Sequence, residues 1–223
     1  MRILVTIPAY NEEGTIAGVI AGIHDALKGE DYKIAVVADG CRDRTLLYAE
    51  RAGAIVYSKE HKGLADAFRY EMSVALRIKP DYIVHIDADG QYSPYEIPQM
   101  LEAAKKVDLV LGNRLWHHPM RMPLSKYTFN RLGALGYSML LRRAIPDMTT
   151  GFRVFNLNVA KLPIESNFTY TQEQVFRACK AGYRIASIPV AFSPRGDKSR
   201  LMSGAGHYLA RSVVDFTRFG RVF

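Results

Sequence analysis

Cysteine is scarce in this chain: among 223 residues only Cys41 and Cys179 occur, far apart and without metal-ligand spacing. That excludes a disulfide framework and a thiolate zinc site, and it suits a reducing, intracellular setting. Long apolar runs are missing as well. None approaches the ~20 residues that cross a bilayer, and residues 1–7 run straight into Pro8 and an acidic turn, which reads as a strand and not as a leader. No Ser/Gly/Pro-rich linker divides the chain, so its length suits one domain. Three familiar motifs are absent: G-x-G-x-x-G after the first strand, G-x-x-x-x-G-K-[ST], and H-E-x-x-H. Their absence counts against dinucleotide, P-loop and zincin chemistry. Acids vanish between 109 and 146, where Arg114, Arg121, Lys126, Arg131, Arg142 and Arg143 all fall, and the net charge is +8. Such a patch fits phosphates as partners. The pI of 9.5 raises nucleic-acid binding as a competing reading, but no RNA or DNA motif accompanies it, and nucleic acid is not expected as a partner.

What is present is an alternation of apolar runs and helical patterns. Strands are expected over 2–7, 32–38, 54–58, from 82, and over 107–111, separated by helices at 16–27, from about 43, at 64–78 and at 94–105. This order predicts an α/β fold with a mostly parallel central sheet and helices on both faces, whose ligands bind outside the carboxyl ends of the strands. Further helices are expected at 124–142, 171–181 and 207–219, with a strand at 184–191. The polar stretch 147–153 reads as a β-turn feeding an edge strand at 154–155. In 132–141 ten nearly all-apolar residues stand between Arg131 and Arg142-Arg143, too few to span a membrane, so they belong either to the core or at a headgroup boundary. Gly133 and Gly136 there hint at close packing. Trp116, His117 and His118 share a loop that could touch a sugar or a metal, but an ordinary mobile loop is the commoner case.

Chemistry concentrates at the strand ends: Tyr10 and Glu12 after the first, Asp39 after the second, Asp87 and Asp89 after the fourth. Side chains alternate along a strand, so Asp87 and Asp89 point the same way and Gln91 follows if the backbone stays extended. Two carboxylates and an amide oxygen form a hard donor set suited to Mg²⁺ or Mn²⁺, which in turn holds a diphosphate. An acidic turn capping the helix after Pro94 is the competing reading. Arg114 follows the fifth strand end, and Arg195, Lys198, Ser199 and Arg200 lie in a basic Gly- and Pro-containing loop of the kind that closes over ligands.

These motifs, Pro8-Ala9-Tyr10-Asn11-Glu12, Val37-Ala38-Asp39-Gly40-Cys41, Asp87-Ala88-Asp89-Gly90-Gln91, Gly112-Asn113-Arg114, Thr150-Gly151-Phe152-Arg153 and Arg195 through Arg200, stand in the order found in the family-two inverting glycosyltransferases. Within that family the chain most resembles dolichyl-phosphate mannose synthases and related polyprenyl-phosphate sugar transferases. The resemblance implies a nucleotide-diphospho-sugar transferase (GT-A type) fold over residues 1–223. It divides into a nucleotide-sugar half (1–112), an acceptor half (113–205) and an amphipathic C-terminal helix (206–223). It implies nucleotide contacts from Pro8, Tyr10, Glu12, Asp39, Lys62 and Asp87, and a metal on Asp87, Asp89 and Gln91. Acceptor or phosphate contacts fall to Arg114, Arg131, Arg153, Arg195, Ser199 and Arg200, with Asp87, Asp89, Arg114 and Arg131 carrying the chemistry. The implied reaction moves a hexose, mannose favoured, from GDP-mannose or a UDP-sugar to a polyprenyl phosphate, with no dedicated general base. The alternatives are a soluble hydroxyl acceptor, such as a glycerate or glycan, and a nucleotidyltransferase. The implied location is cytoplasmic, with peripheral contact at the cytoplasmic membrane face. One departure matters: where the family has two consecutive acids and a Ser, this chain has Ala38, Asp39 and Cys41, which loosens inference about the base.

Overall fold

The computed structural model of the protein describes residues 1–117 and 124–193, the side chains of 125 and 126 excepted. The expectations for His118, Arg121, the Lys126 side chain, Arg195, Lys198, Ser199, Arg200 and the terminal helix lie outside these residues.

In chain order the elements are β1 (Arg2–Ala9), α1 (Ile16–Ala26), β2 (Asp31–Asp39), α2 (Thr45–Arg51), β3 (Ile55–Lys59), α3 (Leu64–Ile78) and β4 (Tyr82–His85). After a 3₁₀ turn, Pro94–Glu96, follow α4 (Ile97–Ala104), β5 (Leu109–Asn113), α5 (Leu124–Leu141), β6 (Arg153–Phe155), α6 (Leu157–Ala160), α7 (Tyr170–Lys180) and β7 (Ile185–Pro189). Seven strands form one sheet in the order β3-β2-β1-β4-β6-β5-β7. The apolar strands are buried on both faces, as their continuous hydrophobic runs require. Ile3, Val5 and Ile7 of β1 meet α1 and α4 residues such as Ile20, Ile23 and Met100 in one cluster. Leu4 and Ile83 meet Phe68, Met72, Val159 and Val175 in a second, across the sheet. Each helix supplies the stripe its 3.6-residue period dictates: Ile16, Val19, Ile20 and Ile23 in α1.

The expected edge strand is not at an edge. β6 lies between β4 and β5 and runs antiparallel to both, with Arg153 opposite His85 on one side and Leu111 on the other. Because it runs the other way, its N-terminal end lies where the neighbouring strands have their carboxyl ends. The loop 147–152 is thereby delivered to the mouth of the sheet beside Asp87.

α5 resolves the ambiguity of 132–141 in both directions at once. Ala134 is buried, and Tyr137 and Leu141, half-buried, pack on the second cluster at helical spacing. Ser138 Oγ donates to Ala134 O and accepts from the Ile145 amide. The opposite face holds Leu132 (69% exposed), Leu135, Met139 (68%) and Leu140. Close packing does not explain the glycines: a Cβ at Gly133 or Gly136 would meet nothing within 4 Å.

Candidate active site

At the β1 and β2 ends two loops interlock. Asn11 adopts a left-handed φ of 54°, its Oδ1 accepts from the Arg42 amide at 2.8 Å, and the Glu12 amide donates to Thr45 Oγ1 at 2.7 Å. Asp43 Oδ1 accepts from the Thr45 amide at the start of α2, and its Oδ2 accepts from the Glu13 amide. Pro8 pairs with Val37 within the sheet. Tyr10 and Glu12 project at this rim, Tyr10 36% exposed.

The resemblance implies a nucleotide contact from Asp39. Its carboxylate is instead fully engaged by the β3–α3 segment: Lys59 Nζ donates to Oδ1, as does the Lys62 amide at 3.0 Å, and the Gly63 amide donates to Oδ2 at 2.8 Å. Burial alone would raise this carboxyl; Lys59 and the two amides outweigh it and hold it below the usual range. Lys62 thus contributes its backbone, while its side chain pairs loosely with Glu60 at 3.8 Å. Lys59, which also pairs with Asp66 at 2.8 Å, was not foreseen from the sequence; a cation at the end of a strand beside Asp39 was the available signal.

β4 ends at His85, two residues before Asp87, and the carboxylates sit in the turn beyond it. Their convergence is therefore not the work of strand alternation. Asp89 Oδ1 accepts from the Gln91 amide at 3.0 Å, closing an Asx turn with Gly90 at φ +71°. Gln91 Nε2 donates to Ser193 O at 3.0 Å, and the Ser193 amide returns a bond to Gln91 O at 2.8 Å. These two bonds tie the turn after the carboxylates to the chain just beyond β7.

Above Asp87 lies Gly151. A Cβ there would fall 2.2 Å from Asp87 Oδ2, so only glycine admits the carboxylate at this position. The Gly151 amide donates to Tyr92 Oη at 2.9 Å, and the phenol shares a hydrogen bond with Thr150 Oγ1 at 3.2 Å. Burial pushes Tyr92 up to about 12, so the phenol stays neutral. Burial first and the charge of Asp89 second push the Asp87 carboxyl up to about 6, only partly offset by His85 and Arg114. Two crowded carboxylates are oxygen donors of the kind a hard divalent ion takes. Among the described residues no third His, Cys, Asp or Glu completes a metal cage, so Gln91 and the ligand's own oxygens would have to supply the rest.

The arginines separate into different roles. Arg114 binds Asp147 bidentately, Nε to Oδ2 at 2.8 Å and Nη2 to Oδ1 at 2.9 Å, with Nη2 also donating to Thr149 Oγ1 at 2.7 Å and the guanidinium 5.2 Å from the Phe192 ring centre. Burial opposes its charge, but Asp147, Tyr92 and Asp87 together outweigh burial and keep it protonated. Arg131, exposed on α5, donates to Tyr127 Oη at 3.0 Å, and that hydroxyl reaches Leu115 O at 3.5 Å, next to Arg114. Arg153 is corrected from an acceptor contact to a scaffold residue. It is fully buried, and its donors go to Thr150 O, Thr171 O, Gln174 Oε1 and Met148 O at 2.8–3.0 Å. Burial lowers it to about 10, so it remains a cation at neutral pH, clamping the loop that carries Gly151. Trp116, 54% exposed, donates from Nε1 to Val190 O at 3.3 Å and lies 3.9 Å from the His117 ring.

A paired-carboxylate turn thus sits at the mouth of a mostly parallel sheet, roofed by a glycine loop. Residues 4–162 match the family model described as Glycosyl transferase family 2. The chain belongs to that family. This glycosyltransferase is 28% identical over 233 residues to the undecaprenyl-phosphate mannosyltransferase of Micrococcus luteus, covering 99% of this chain and 94% of the relative. It is 29% identical to a dolichyl-phosphate hexose transferase of Haloferax volcanii, covering 94% and 91%. Against the polyprenol monophosphomannose synthase of Mycolicibacterium smegmatis identity is 26%, covering 92% and 82%. Among solved structures, glucosyl-3-phosphoglycerate synthase from Mycobacterium tuberculosis, in complex with Mn²⁺, UDP and phosphoglyceric acid, superposes with a TM-score of 0.71 at 20% identity, covering 95% of this chain and 74% of that one. That likeness establishes the GT-A fold of the glycosyltransferase.

The raised Asp87 carboxyl predicts how metal and pH interact. A folded-state value near 6, above the 3.8 of an ordinary Asp, gives the metal-free protein a stabilising contribution present below about pH 4 and lost as pH rises through 6. Above that the pair is ionised, and a divalent ion held there would relieve it. Thermal melts should therefore show a clear rise in Tm with Mn²⁺ at pH 7.5 and little at pH 5; equal shifts at both would place the ion elsewhere.

Proposed function

We propose that this glycosyltransferase moves a hexose, mannose favoured, from a nucleotide-diphosphate sugar to a polyprenyl phosphate with inversion at the anomeric carbon. The names of the relatives matched over most of their own length support the hexose and the lipid-phosphate acceptor. The observation that carries the mechanism is the engagement of the two acids best placed to fold into the acceptor side. Asp147 is locked to Arg114, and Glu173, fully buried, accepts from the Glu165 and Ser166 amides and from Arg177. A sugar hydroxyl needs a carboxylate or imidazole to take its proton, whereas a phosphate is already an anion and needs orientation only.

In this reading residues 1–112 hold the donor and 113–205 the acceptor. Asp87, Asp89 and Gln91 would hold Mg²⁺ or Mn²⁺, which when bound neutralises charge growing on the diphosphate leaving group. Tyr10 and the loops tied by Asn11, Glu12 and Asp39 shape the nucleoside side, and Pro8 underlies it. Arg114, oriented by Asp147, and Arg131, at the α5 rim, face the acceptor phosphate, with Arg195, Ser199 and Arg200 completing it. GDP is placed ahead of UDP because two of the three relatives are named for mannose. The test supplies GDP-mannose or UDP-glucose with Mn²⁺ and either a short polyprenyl phosphate or 3-phosphoglycerate. Label extracted into organic solvent only with the polyprenyl phosphate supports the reading; transfer to phosphoglycerate overturns it in favour of a hydroxyl or soluble acceptor.

No helix among the described residues is long and apolar enough to cross a membrane. The exposed face of α5, with Leu124 (66% exposed), Leu132, Leu135, Met139 and Leu140 flanked by Arg131, Arg142 and Arg143, suits the headgroup boundary instead. Each basic contact with anionic lipid contributes about 1 kcal/mol. Liposome sedimentation should show binding to phosphatidylglycerol vesicles that weakens with salt and with Leu132→Ser/Met139→Ser. Binding unaffected by that pair would remove α5 from the contact.

A further inference from the structure

Between Asp39 and Tyr10 stands a residue that the reading so far leaves idle. His61, in the segment joining β3 to α3, stacks on the Tyr10 ring with centroids 4.2 Å apart and planes inclined by 27°. Its Nδ1 lies 2.9 Å from the Asp39 carbonyl oxygen and 2.9 Å from Asp39 Oδ2. Both are acceptors, so Nδ1 carries the hydrogen and the ring plane is fixed from one edge. The backbone is fixed too: a Cβ on Gly40, at φ +70°, would stand 2.8 Å from His61 N and Cβ, so the two segments are in direct contact. One ring face is covered by Tyr10 and one edge by Asp39, yet the side chain is 54% exposed. That exposure therefore belongs to the opposite face and the Nε2 edge. A rigidly held, flat, open ring at the nucleoside side of the site is a stacking surface, and every base has a π-face to lay on it.

We infer that His61, backed by Tyr10, is the platform on which the donor's nucleobase stacks. Tyr10 then acts through His61, and Asp39 acts as the bracket that sets the ring's plane, which accounts for a carboxylate too occupied to read the base itself. The inference rests on the nucleotide-sugar reading above.

Titration calorimetry in Mn²⁺ with GDP, UDP and inorganic pyrophosphate, on the full chain, tests it. His61→Ala should weaken both nucleotides about 10-fold, the scale of one lost base–ring stack, while leaving pyrophosphate unchanged. His61→Phe keeps a flat ring without the Asp39 bond and should stay within about threefold of wild type, whereas His61→Asn keeps a donor toward Asp39 without the ring and should behave like Ala. The opposite pattern, Asn intact and Phe impaired, shows a tether for the loop and overturns the platform. Nucleotide affinity unaltered in His61→Ala does the same. If the wild-type protein binds pyrophosphate but neither nucleotide, the donor reading falls and the platform with it.

Discussion

Replacing Asp89 with Ala is expected to lower turnover on the order of 10²-fold or more, the scale on which removal of one charge stabiliser acts. Asp89 does two things. Its Oδ1 closes the turn to the Gln91 amide, and its charge is the chief neighbour raising Asp87. Removal therefore loosens the turn that aims Gln91, and at the same time relieves Asp87 of a like charge. The second effect brings Asp87 back toward an ordinary carboxyl and makes it a lone anion, which holds a divalent ion poorly. Asp89→Asn separates these effects: its side-chain oxygen can still accept from Gln91, so the turn survives while the charge is lost. Both variants should fail in steady-state assays at saturating donor. If Asp89→Asn keeps full Mn²⁺-dependent turnover, the ion is seated elsewhere.

Gly151→Ala is the second large effect. The added methyl would collide with the Asp87 carboxylate, not with backbone, at 2.2 Å from Oδ2. A short side chain swings aside at modest cost, so the fold should survive with a Tm within a few degrees of wild type. The carboxylate, however, is displaced from its seat, and misplacement by about 1 Å of a group that positions reactants can cost 10²-fold. The expected result is turnover reduced about 10²-fold, with Mn²⁺ affinity weakened. Nucleotide affinity measured without metal should not change. A fully active Gly151→Ala protein would show that Asp87 does not work from the position it holds here.

Much of the fold could be read from periodicity, because β1, β2, β4 and β5 are apolar runs buried on both faces and the helices carry clean stripes. β6 could not. Three residues, Arg153-Val154-Phe155, are too short for a period to declare itself, and an arginine at the start of a strand suggests an edge unless its oxygen partners are known. Those partners come from residues 148, 150, 171 and 174, and the latter two are brought to it only by the tertiary fold. The same limit hid the Arg114–Asp147 pair, separated by 33 positions. Asp87 and Asp89 were legible because carboxylates crowded at a strand end are hard to explain by stability alone. His61 was not, since a lone histidine beside Lys62-Gly63 looks like any turn residue until its ring is seen on Tyr10.

The central placement of β6 bears on how the protein emerges from the ribosome. β4 is complete at residue 85, yet the strand that covers its open edge ends at residue 155, and β5 has no sheet partner except β6 and β7. At about 5–20 residues per second, the growing chain spends several seconds with a four-stranded sheet whose apolar flank is bare. The carboxylate turn is already made during that interval, but its glycine roof is not. A fragment ending at residue 112 should accordingly aggregate, whereas one reaching past α6 carries the strand that seals the sheet.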